Sequence, residues 1–363
     1  MSSYELGTSL HIALYGGSHE PLIGVTAEGL PAGEQVDLEE LQSFLRRRAP
    51  GNSPFTTKRS EPDVPEFLSG LDGSVLTGEK LEAVIRNTGQ RSGDYSPFAD
   101  TPRPSHADYT AAVRYHGTMN MNGGGPFSGR MTAPLCVIGG IAKQILARRD
   151  ILIGAHLYAV GTVLDEPFPL EPDGGLFRAV AAKELPVLSD SAMEAMKEKI
   201  LAAAAEGDSV GGIVECAVTG FPAGVGGPLF DGIESRLSAA LFGIPGVKGV
   251  GFGSGFSAPY LRGSEHNDPF VIRDGAVRTG TNRSGGIQGG ISNGMPLVFQ
   301  LAMKPTPSIA RKQKTVSLSR MEETEIEIRG RHDPCIAVRA VPVAEAAAAV
   351  VLLDLLLGED KWN

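Results

Sequence analysis

Two histidines stand in glycine- and serine-rich turns, where an imidazole could hold or transfer a proton. His19 occurs in "GGSHE" between two apolar runs, and His106 occurs in "RPSHAD" just before a helical pattern. The ordinary pKa of histidine lies nearest neutrality, which suits general acid or base catalysis. An isolated histidine in a turn is more often structural, so the rest of the chain has to decide between the two interpretations.

Three further loops have the chemistry of an anion site. The segment 45–63 crowds arginines and lysines around proline and glycine: Arg46, Arg47, Arg48, Lys58 and Arg59. Such a cluster in an acidic chain suits a phosphate or carboxylate ligand, although a solvated helix end is the structural alternative. A triple glycine at 123–125 precedes Ser128 and Arg130, and its backbone N–H groups could approach an anion closely.

The C-terminal third adds the last of these loops. Lys304, Thr306 and Ser308 are compact phosphate-capable donors in "KPTPS", and a polar triplet, "RHD", occupies 331–333. Any one loop could be a structural turn. Because the loops share one ligand chemistry, a common site for an anionic ligand is the better interpretation.

Length, composition and charge limit the class of protein. The 363 residues are 42% hydrophobic and 21% charged, which is typical of a globular chain with a large core. A net charge of −9 argues against a nucleic acid or an anionic membrane as partner. Three cysteines without metal spacing predict reduced thiols in the cytoplasm, and the N-terminus lacks a signal-peptide pattern. The apolar segment 343–360 contains Glu345 and Asp354, which favours a buried helix over a membrane span.

Several common cofactor sequences are absent. The chain has no early Gly-x-Gly-x-x-Gly with a following acid, no Walker sequence, no nucleophile elbow and no His-Glu-x-x-His. A Rossmann dinucleotide site is therefore not expected. The seven histidines are too scattered to specify a metal site, so we predict none.

Short β-like runs alternate irregularly with helical patterns. Strands are predicted at 10–15, 22–28, 151–163, 210–219, 247–252, 296–303 and 324–329, and helices at 37–50, 130–149, 189–209 and 228–244. Asp37 and Ser189 are the predicted N-caps, and the second helix is expected to begin after Pro134. No linker divides the chain, so we predict one layered α/β domain over residues 1–363.

The ordered motifs resemble the chorismate synthase family nearly from end to end. They are "RRRAPG", "TTKRSEPD", "FLSG", "IRNTGQRSGDYS", "RPSHADYT", "GGGPFSGR", "VKGVGFG", "GGIQGGISNG", "KPTPSI" and "GRHDPC". The resemblance implies a β-α-β sandwich of largely antiparallel sheets, assembled as a homotetramer. It also implies reduced FMN (FMNH2) at the reacting centre, in agreement with the missing Rossmann sequence.

The implied reaction converts 5-enolpyruvylshikimate 3-phosphate to chorismate and phosphate. This is an anti-1,4-elimination that needs reduced FMN without net redox change. The resemblance assigns His19 to keeping the reduced flavin suitably protonated and His106 to assisting the departure of phosphate. It assigns Asp333 to proton removal through flavin N5. All three residue types are present.

The resemblance also implies contacts to the cofactor and to phosphate groups. The flavin contacts are Ser128, Gly246, Gly289, Lys304, Thr306, Ser308 and Arg331, and the contacts to substrate or NADPH phosphate are Arg48, Arg130 and Arg339. The sequence departs from the usual pattern in three places. The turn is written Gly-Glu-Ser-His-Gly in most members, Pro126-Phe127 replaces Arg-Ser, and Pro54 replaces an arginine.

Two other functions remain open at this point. A divergent paralogue could bind flavin or an anionic metabolite with little or no turnover, and the departures around His19 and Pro54 favour it. An oxidoreductase that uses bound FMN is the third interpretation. No inserted flavin-reductase domain is visible, so the expected reductant is external, with NADPH as the alternative.

Overall fold

The computed structural model describes residues 3–51, 55–56, 61–87, 98–119, 122–328 and 332–359. In chain order the strands are β1 (Ser3–Leu6), β2 (His11–Gly16), β3 (Leu22–Glu28), β4 (Glu66–Ser69), β5 (Leu71–Asp72), β6 (Val75–Leu76), β7 (Leu81–Arg86), β8 (Leu152–Val160), β9 (Val163–Leu164), β10 (Gly212–Thr219), β11 (Val247–Phe252), β12 (Phe270–Arg273), β13 (Ala276–Thr279), β14 (Ile287–Gln288), β15 (Ile291–Ser292), β16 (Leu297–Met303), β17 (Lys312–Ser317) and β18 (Glu322–Glu327). The α-helices are α1 (Leu38–Arg48), α2 (Asp108–Arg114), α3 (Thr132–Ala147), α4 (Gly174–Ala181), α5 (Asp190–Ala205), α6 (Ile233–Phe242), α7 (Gly263–His266) and α8 (Ala337–Gly358).

Two antiparallel sheets enclose a layer of helices. The first sheet has the order β1-β2-β3-β7-β4 and the second has the order β11-β16-β10-β8-β9. Helix α3 contacts β3 and β7 of the first sheet and β8 of the second, while α8 contacts α3, β8 and β10. The apolar residues of both sheets and of these helices form one large buried cluster. The predicted β-α-β arrangement with antiparallel sheets is confirmed.

The helix starts agree with the sequence in two of three cases. Asp37 caps α1 because its carboxylate accepts hydrogen bonds from the backbone N–H groups of Glu39 and Glu40. Ser189 is the N-cap residue of α5, although its side chain makes no capping hydrogen bond. Helix α3 begins at Thr132 and not after Pro134. That prediction was wrong because a proline in the first turn lacks only an N–H that has no helical acceptor there.

Helix α8 is the central element of the helical layer. Its 22 residues extend about 33 Å. By length and composition it is apolar enough to cross a bilayer, but almost all of it is buried inside the protein, as expected for a core helix. Its two acids are paired with cations, one near the middle of the helix and one near its C-terminal end: Glu345 with Arg47 and Lys143, and Asp354 with Arg236.

Burial by itself would raise the pKa of Glu345, but Arg47 and Lys143 lower it to about 2. Asp354 accepts hydrogen bonds from the backbone of Thr8, Ser9 and Leu10 in the β1–β2 turn. Both acids therefore fasten neighbouring elements to α8.

Candidate active site

His19 lies in the turn between β2 and β3, where it is half-buried. The Ser18 hydroxyl lies 3.2 Å from His19 Nδ1. The side-chain amide of Asn87 donates to the backbone carbonyls of Gly17, at 3.2 Å, and Glu20, at 2.7 Å. Asn87 follows β7, the neighbour of β3, so these hydrogen bonds attach the His19 turn to the first sheet.

The triple glycine supplies the surface on which both histidine rings lie. Gly123 and Gly124 have φ angles of +65° and +97°, a left-handed backbone that favours glycine. A Cβ atom on Gly123 would come within 1.9 Å of His19 Nδ1, and one on Gly124 within 3.3 Å of His106 Nε2. The rings of His19 and His106 therefore pack against consecutive residues, whose Cα atoms are about 3.8 Å apart. This contact brings the two predicted acid–base residues together.

His106 is held at one ring nitrogen by Asp108, at the start of α2. Nδ1 lies 2.8 Å from Asp108 Oδ1 and 3.1 Å from Arg103 Nη2. An Nδ1–H cannot accept from Arg103 while it donates to Asp108, and we assign the proton to the shorter contact with the carboxylate. Arg103 also donates to both oxygens of Asp108. Burial would raise the pKa of Asp108, but hydrogen bonds from Arg103 and His106 lower it, so the carboxylate stays ionised.

The β17–β18 hairpin fixes the loop in front of His106. Asp100 accepts from the Ser317 hydroxyl at 2.8 Å and from the Ser319 backbone N–H at 2.7 Å. These bonds, first among them those to Ser319, lower the pKa of Asp100. Thr315 donates to the carbonyl of Pro102 at 2.6 Å. The hairpin therefore acts as a support for the His106 loop.

Asp333 lies just before α8. Its carboxylate accepts from Arg339 Nη1 at 2.7 Å, and its backbone carbonyl accepts from the Thr306 hydroxyl at 2.7 Å. The neighbouring His332 has a buried Nε2 without a hydrogen-bond partner among the described residues. Burial lowers the pKa of His332, Arg103 and His106 lower it further, and Asp333 opposes them. These interactions place His332 and Asp333 beside the His106 loop.

The loop after β16 completes this side of the site. The Lys304 ammonium donates to the carbonyl of Ser105, and the Lys304 backbone N–H donates to the carbonyl of Gly246 at 2.9 Å. Burial, and then the charge of Lys248, lower the pKa of Lys304. Thr306 and Ser308 follow on the same loop, and Ser308 is buried. The structure thus places Gly246, Lys304 and Thr306 together with His106 and Asp333.

The predicted anion-binding residues have different surroundings. Ser128 lies next to Gly124 and caps the turn 129–131, where its hydroxyl accepts from the backbone of Arg130 at 3.2 Å. Arg48 and Arg130 are 2% and 7% exposed, and both pair with Asp63. The phosphate contacts predicted for Arg48 and Arg130 stay a prediction. In the structure both guanidinium groups bond a carboxylate.

Gly289 lies at the other end of the molecule. It forms the tip of the β14–β15 hairpin, and Ile291 of that hairpin pairs with Gly226, which donates to the Glu359 side chain at 2.8 Å. Glu359 follows the last residue of α8, whereas Arg339 lies in its first turn, so the two ends are roughly 30 Å apart. Within one chain, Gly289 does not meet the histidines. Arg331 lies outside the described residues.

Sequence reasoning missed Arg103 and Asp108 as parts of the site, and it included His332 only as a member of the polar triplet 331–333. A signal for Asp108 was available, because an aspartate two residues after a histidine at a helix start is placed to bond an imidazole. The position of His332, between two assigned residues, was the corresponding signal. Within the described residues, no group of three or more His, Cys, Asp or Glu is placed to hold a metal ion.

The arrangement combines acid–base groups with anion donors. His106 has Nδ1 fixed by Asp108, which leaves Nε2 toward Gly124 for proton transfer. Asp333 supplies a second ionisable group within the same loop cluster, and Lys304 and Thr306 supply donors. The site suits a reaction in which an anionic group departs and a proton is removed.

Comparisons with known proteins agree over almost the whole chain. A family model described as chorismate synthase matches residues 10–357. A chorismate synthase from Lancefieldella parvula is 43% identical, covering 98% of this chain and 97% of the relative. One from Thermococcus kodakarensis is 45% identical and covers 98% of each chain. A crystal structure of chorismate synthase superposes with a TM-score of 0.76 at 25% identity, over 97% of this chain and 93% of that one.

Proposed function

The chain belongs to the chorismate synthase family, and we propose from its site that it converts 5-enolpyruvylshikimate 3-phosphate to chorismate and phosphate. As a member of this family it is a lyase of the shikimate pathway, whose step is an anti-1,4-elimination of phosphate. The observation that supports turnover most directly is the packing of His19 and His106 on consecutive glycines. Both histidines are present and positioned despite the exchanged neighbours of His19.

His106 is the proposed acid for the departing phosphate. Asp108 fixes its Nδ1 proton, so Nε2 of the protonated ring can donate to a phosphate oxygen as the carbon–oxygen bond breaks. The Lys304 ammonium next to Ser105 adds positive charge to the same region. Together the two groups would stabilise the charge that develops on the leaving group.

Asp333 is the proposed group for proton removal. Arg339 orients its carboxylate, and Thr306 anchors its backbone, so the group has a defined direction before substrate binds. His19 lies across the triple glycine from His106, and its Nδ1 is next to Ser18. We assign His19 to holding a proton near the reacting ring of the cofactor. Both assignments follow the family resemblance and the placement of these groups.

The donor set fits a flavin phosphate. Hydroxyl and ammonium donors converge from two loops, Ser128 on one and Lys304, Thr306 and Ser308 on the other. The buried, unpartnered Nε2 of His332 offers one more polar contact at the same place. We propose that these residues, with Gly246 and Arg331, hold reduced FMN. When bound, reduced FMN would supply an electron-rich ring beside the substrate.

Self-association follows from two features of the surface. Phe256, Tyr260, Phe270 and Ile272 are each at least two-thirds exposed, which is unusual for large apolar side chains. Gly289 can contact the cofactor of the cluster only if a second copy brings it there. We therefore propose a homotetramer. From the family resemblance we also propose a cytoplasmic location and an external supply of reduced flavin, with NADPH as the alternative reductant. The whole chain, residues 1–363, is proposed to act as one domain.

The test is an anaerobic incubation with 5-enolpyruvylshikimate 3-phosphate and dithionite-reduced FMN. We expect phosphate release in large excess over enzyme while the absorbance of the reduced flavin stays constant. No phosphate at saturating substrate would contradict the lyase function and favour a binding protein. Consumption of one reduced flavin per turnover would instead indicate an oxidoreductase. A His11→Ala variant, altered at an exposed histidine of β2, is the matched control for later histidine variants.

A further inference from the structure

Asp63 is a buried carboxylate bonded to two arginines at once. Its Oδ2 pairs with Arg48 Nη1, and its Oδ1 pairs with Arg130 Nη1. Asp63 is 1% exposed and has a φ angle of +49°, a left-handed backbone that costs free energy in a residue other than glycine. Such a conformation persists where the surroundings require it. Burial would raise the pKa of Asp63, but Arg48 and Arg130 hold it below its ordinary value.

One arm of this cluster leads to Asp333. The Arg48 backbone carbonyl accepts from Arg339 Nε at 2.9 Å, and Arg339 Nη1 donates to the Asp333 carboxylate at 2.7 Å. Arg48 is further held by Thr132, at 3.1 Å, and by the carbonyl of Gly129, also at 3.1 Å. Arg48 thus links the end of α1 to the start of α3 and to the first turn of α8.

The other arm leads to the His19 turn. Arg130 Nε donates to Asn87 Oδ1 at 3.1 Å, and the amide of Asn87 donates to the backbone carbonyls of Gly17 and Glu20. Every bond from Asp63 outward joins a charged group or an amide to a fixed acceptor. Hydrogen bonds therefore connect the His19 turn to Asp333 through Asp63, with one covalent step between the Arg48 guanidinium and the Arg48 backbone carbonyl.

Charge explains why the centre must be an anion. Arg48 is fully buried, and burial lowers its pKa to about 10; Asp63 opposes this decrease, while Arg339 and Arg130 add to it. Without Asp63, buried guanidinium groups would face one another with less compensation, and they would separate or draw in water. The same contacts leave Arg48 and Arg130 with little exposed surface for a ligand.

We propose that Asp63 is a positioning residue that sets the His19 turn and the Asp333 carboxylate in register through the Arg48–Arg130 pair. Its importance for turnover rests on the proposed function, but its structural consequence does not. Arg48 and Arg130 are the two arms of this positioning network.

The test compares Asp63→Asn with Glu61→Gln. Glu61 is also buried and also bonds Arg130 Nη1, at 2.9 Å, but it lies outside the chain that joins the two arms. Hydrogen exchange of the ligand-free protein should become roughly tenfold faster, or more, in both 14–24 and 332–340 in Asp63→Asn, because charge-assisted bonds are lost. Exchange in the first half of α1, residues 38–43, which lies away from Arg48, should stay unchanged. Glu61→Gln leaves Asp63 paired with both arginines and should therefore have a clearly smaller effect than Asp63→Asn in 14–24 and 332–340.

Kinetics add a measurement that a purely structural role would not change. In Asp63→Asn we expect kcat to fall roughly 10- to 100-fold while KM for the substrate changes by less than about threefold. A rise in KM with kcat unchanged would overturn the proposal, because the acid–base groups would then be correctly placed without Asp63. Equal exchange in Asp63→Asn and wild type, or equal effects of Glu61→Gln and Asp63→Asn, would overturn it as well.

A second variant covers the case in which Asp63→Asn does not fold. Asn87→Ala cuts only the arm to the His19 turn, so exchange should rise in 14–24 and stay unchanged in 332–340. A rise in both segments, or in neither, would contradict the two-arm network. Because exchange needs no ligand, a wild type without phosphate release would refute the proposed function and leave the result for Asp63 standing.

Discussion

His106 and His156 are both paired with an aspartate, but the two pairs lie in different surroundings. His156 is 0% exposed, and its two ring nitrogens each lie 3.0 Å from a carboxylate, Asp165 at Nδ1 and Glu215 at Nε2. The side chain of His106 is 14% exposed, and among the described residues only its Nδ1 has bonding partners. A histidine with both nitrogens held is part of the framework, whereas one with an open nitrogen can exchange a proton with a ligand.

The surroundings of the carboxylates show the same difference. Asp165 also accepts from the backbone of Ser189 at 2.9 Å, and Glu215 accepts from Phe168 N at 2.7 Å and from Gln300 at 2.9 Å. The triad of His156, Asp165 and Glu215 therefore joins β8, β10, β16 and the start of α5. Around His106 the neighbours are glycines and loops. The hydrogen bonds of the His156 triad therefore serve stability. The glycines beside His106 leave its ring accessible to a ligand, which suits catalysis.

The largest expected effect is on the stability of the framework triad. Asp165→Ala leaves the buried His156 with one carboxylate and leaves the part-buried backbone donors of Leu188 and Ser189 without this acceptor, so we expect a loss of about 3–5 kcal/mol in the free energy of unfolding. Urea denaturation measures it. Glu166→Ala, at the neighbouring exposed acid, is the control and should change stability little. A loss of activity without a loss of stability in Asp165→Ala would contradict the assignment of this triad to stability.

The next effect concerns the glycine surface of the site. Gly123→Ala would place a methyl group against the His19 ring, and a displacement of about 1 Å is enough to reduce kcat/KM roughly 100-fold. Gly117→Ala is the matched control, because Gly117 has a similar φ of +69° and no atom lies within 4 Å of its added Cβ. The measurement is the steady-state kcat/KM of the two variants. Equal activities would show that the close packing of His19 on Gly123 is unimportant.

A pH dependence separates the framework histidine from the site. Burial would lower the pKa of His156, but hydrogen bonds to Asp165 and Glu215 raise it above the ordinary value. Its contribution to stability is therefore complete below about pH 6.5, the unfolded value, and disappears as pH rises through the folded pKa. The stability difference between wild type and His156→Gln should shrink as urea titrations move from pH 6 to higher pH. A difference that grows with pH would contradict the assigned charge.

At low pH, the protonation of Asp165 limits the stability that the triad contributes. Burial would raise the pKa of Asp165, but His156 and the backbone donors of Leu188 and Ser189 lower it. Its contribution is present above about pH 4 and is lost as pH falls through the folded pKa. Urea titrations extended to lower pH should therefore show the full stabilisation by the triad between about pH 4 and about pH 6.5.

The smallest effect concerns the exchanged neighbours of His19. The Glu20 side chain folds toward Gly17, where an added Cβ would lie 3.5 Å from its carboxylate oxygen. Glu20→Gly should change the pH profile of kcat/KM by less than about fivefold at any pH, because a partly exposed charge contributes about 1 kcal/mol or less. Folding should be unaffected. An identical profile would show that Glu20 has no influence on His19.

Local patterns were sufficient to predict much of the fold. The strands at 22–28 and 247–252 and the Asp37 cap follow from alternation and from capping chemistry, which act over a few residues. Family motifs supplied His19, His106 and Asp333. The structure brings all three to the same loop cluster, while their catalytic roles stay predictions.

Long-range relations could not be read from the sequence. His156 meets Glu215 because the two residues lie directly opposite each other in the antiparallel pair of β8 and β10, although 59 positions separate them along the chain. Asp63 meets both arginines through a left-handed backbone that no local pattern indicates. Gly289 was assigned to the cofactor although α8 separates it from the histidines within a chain. In each case the packing of distant elements decides the contact.

The central claim is that His106 performs chemistry while His156 maintains the framework. The direct test measures single-turnover phosphate release and thermal unfolding of His106→Ala and His156→Gln side by side. We expect His106→Ala to lose release about 10²- to 10⁴-fold with an unchanged unfolding temperature. We expect His156→Gln to unfold roughly 5–10 °C lower and, while still folded, to release phosphate at nearly the wild-type rate. The reverse pattern, or one in which both variants lose both properties, would contradict the account.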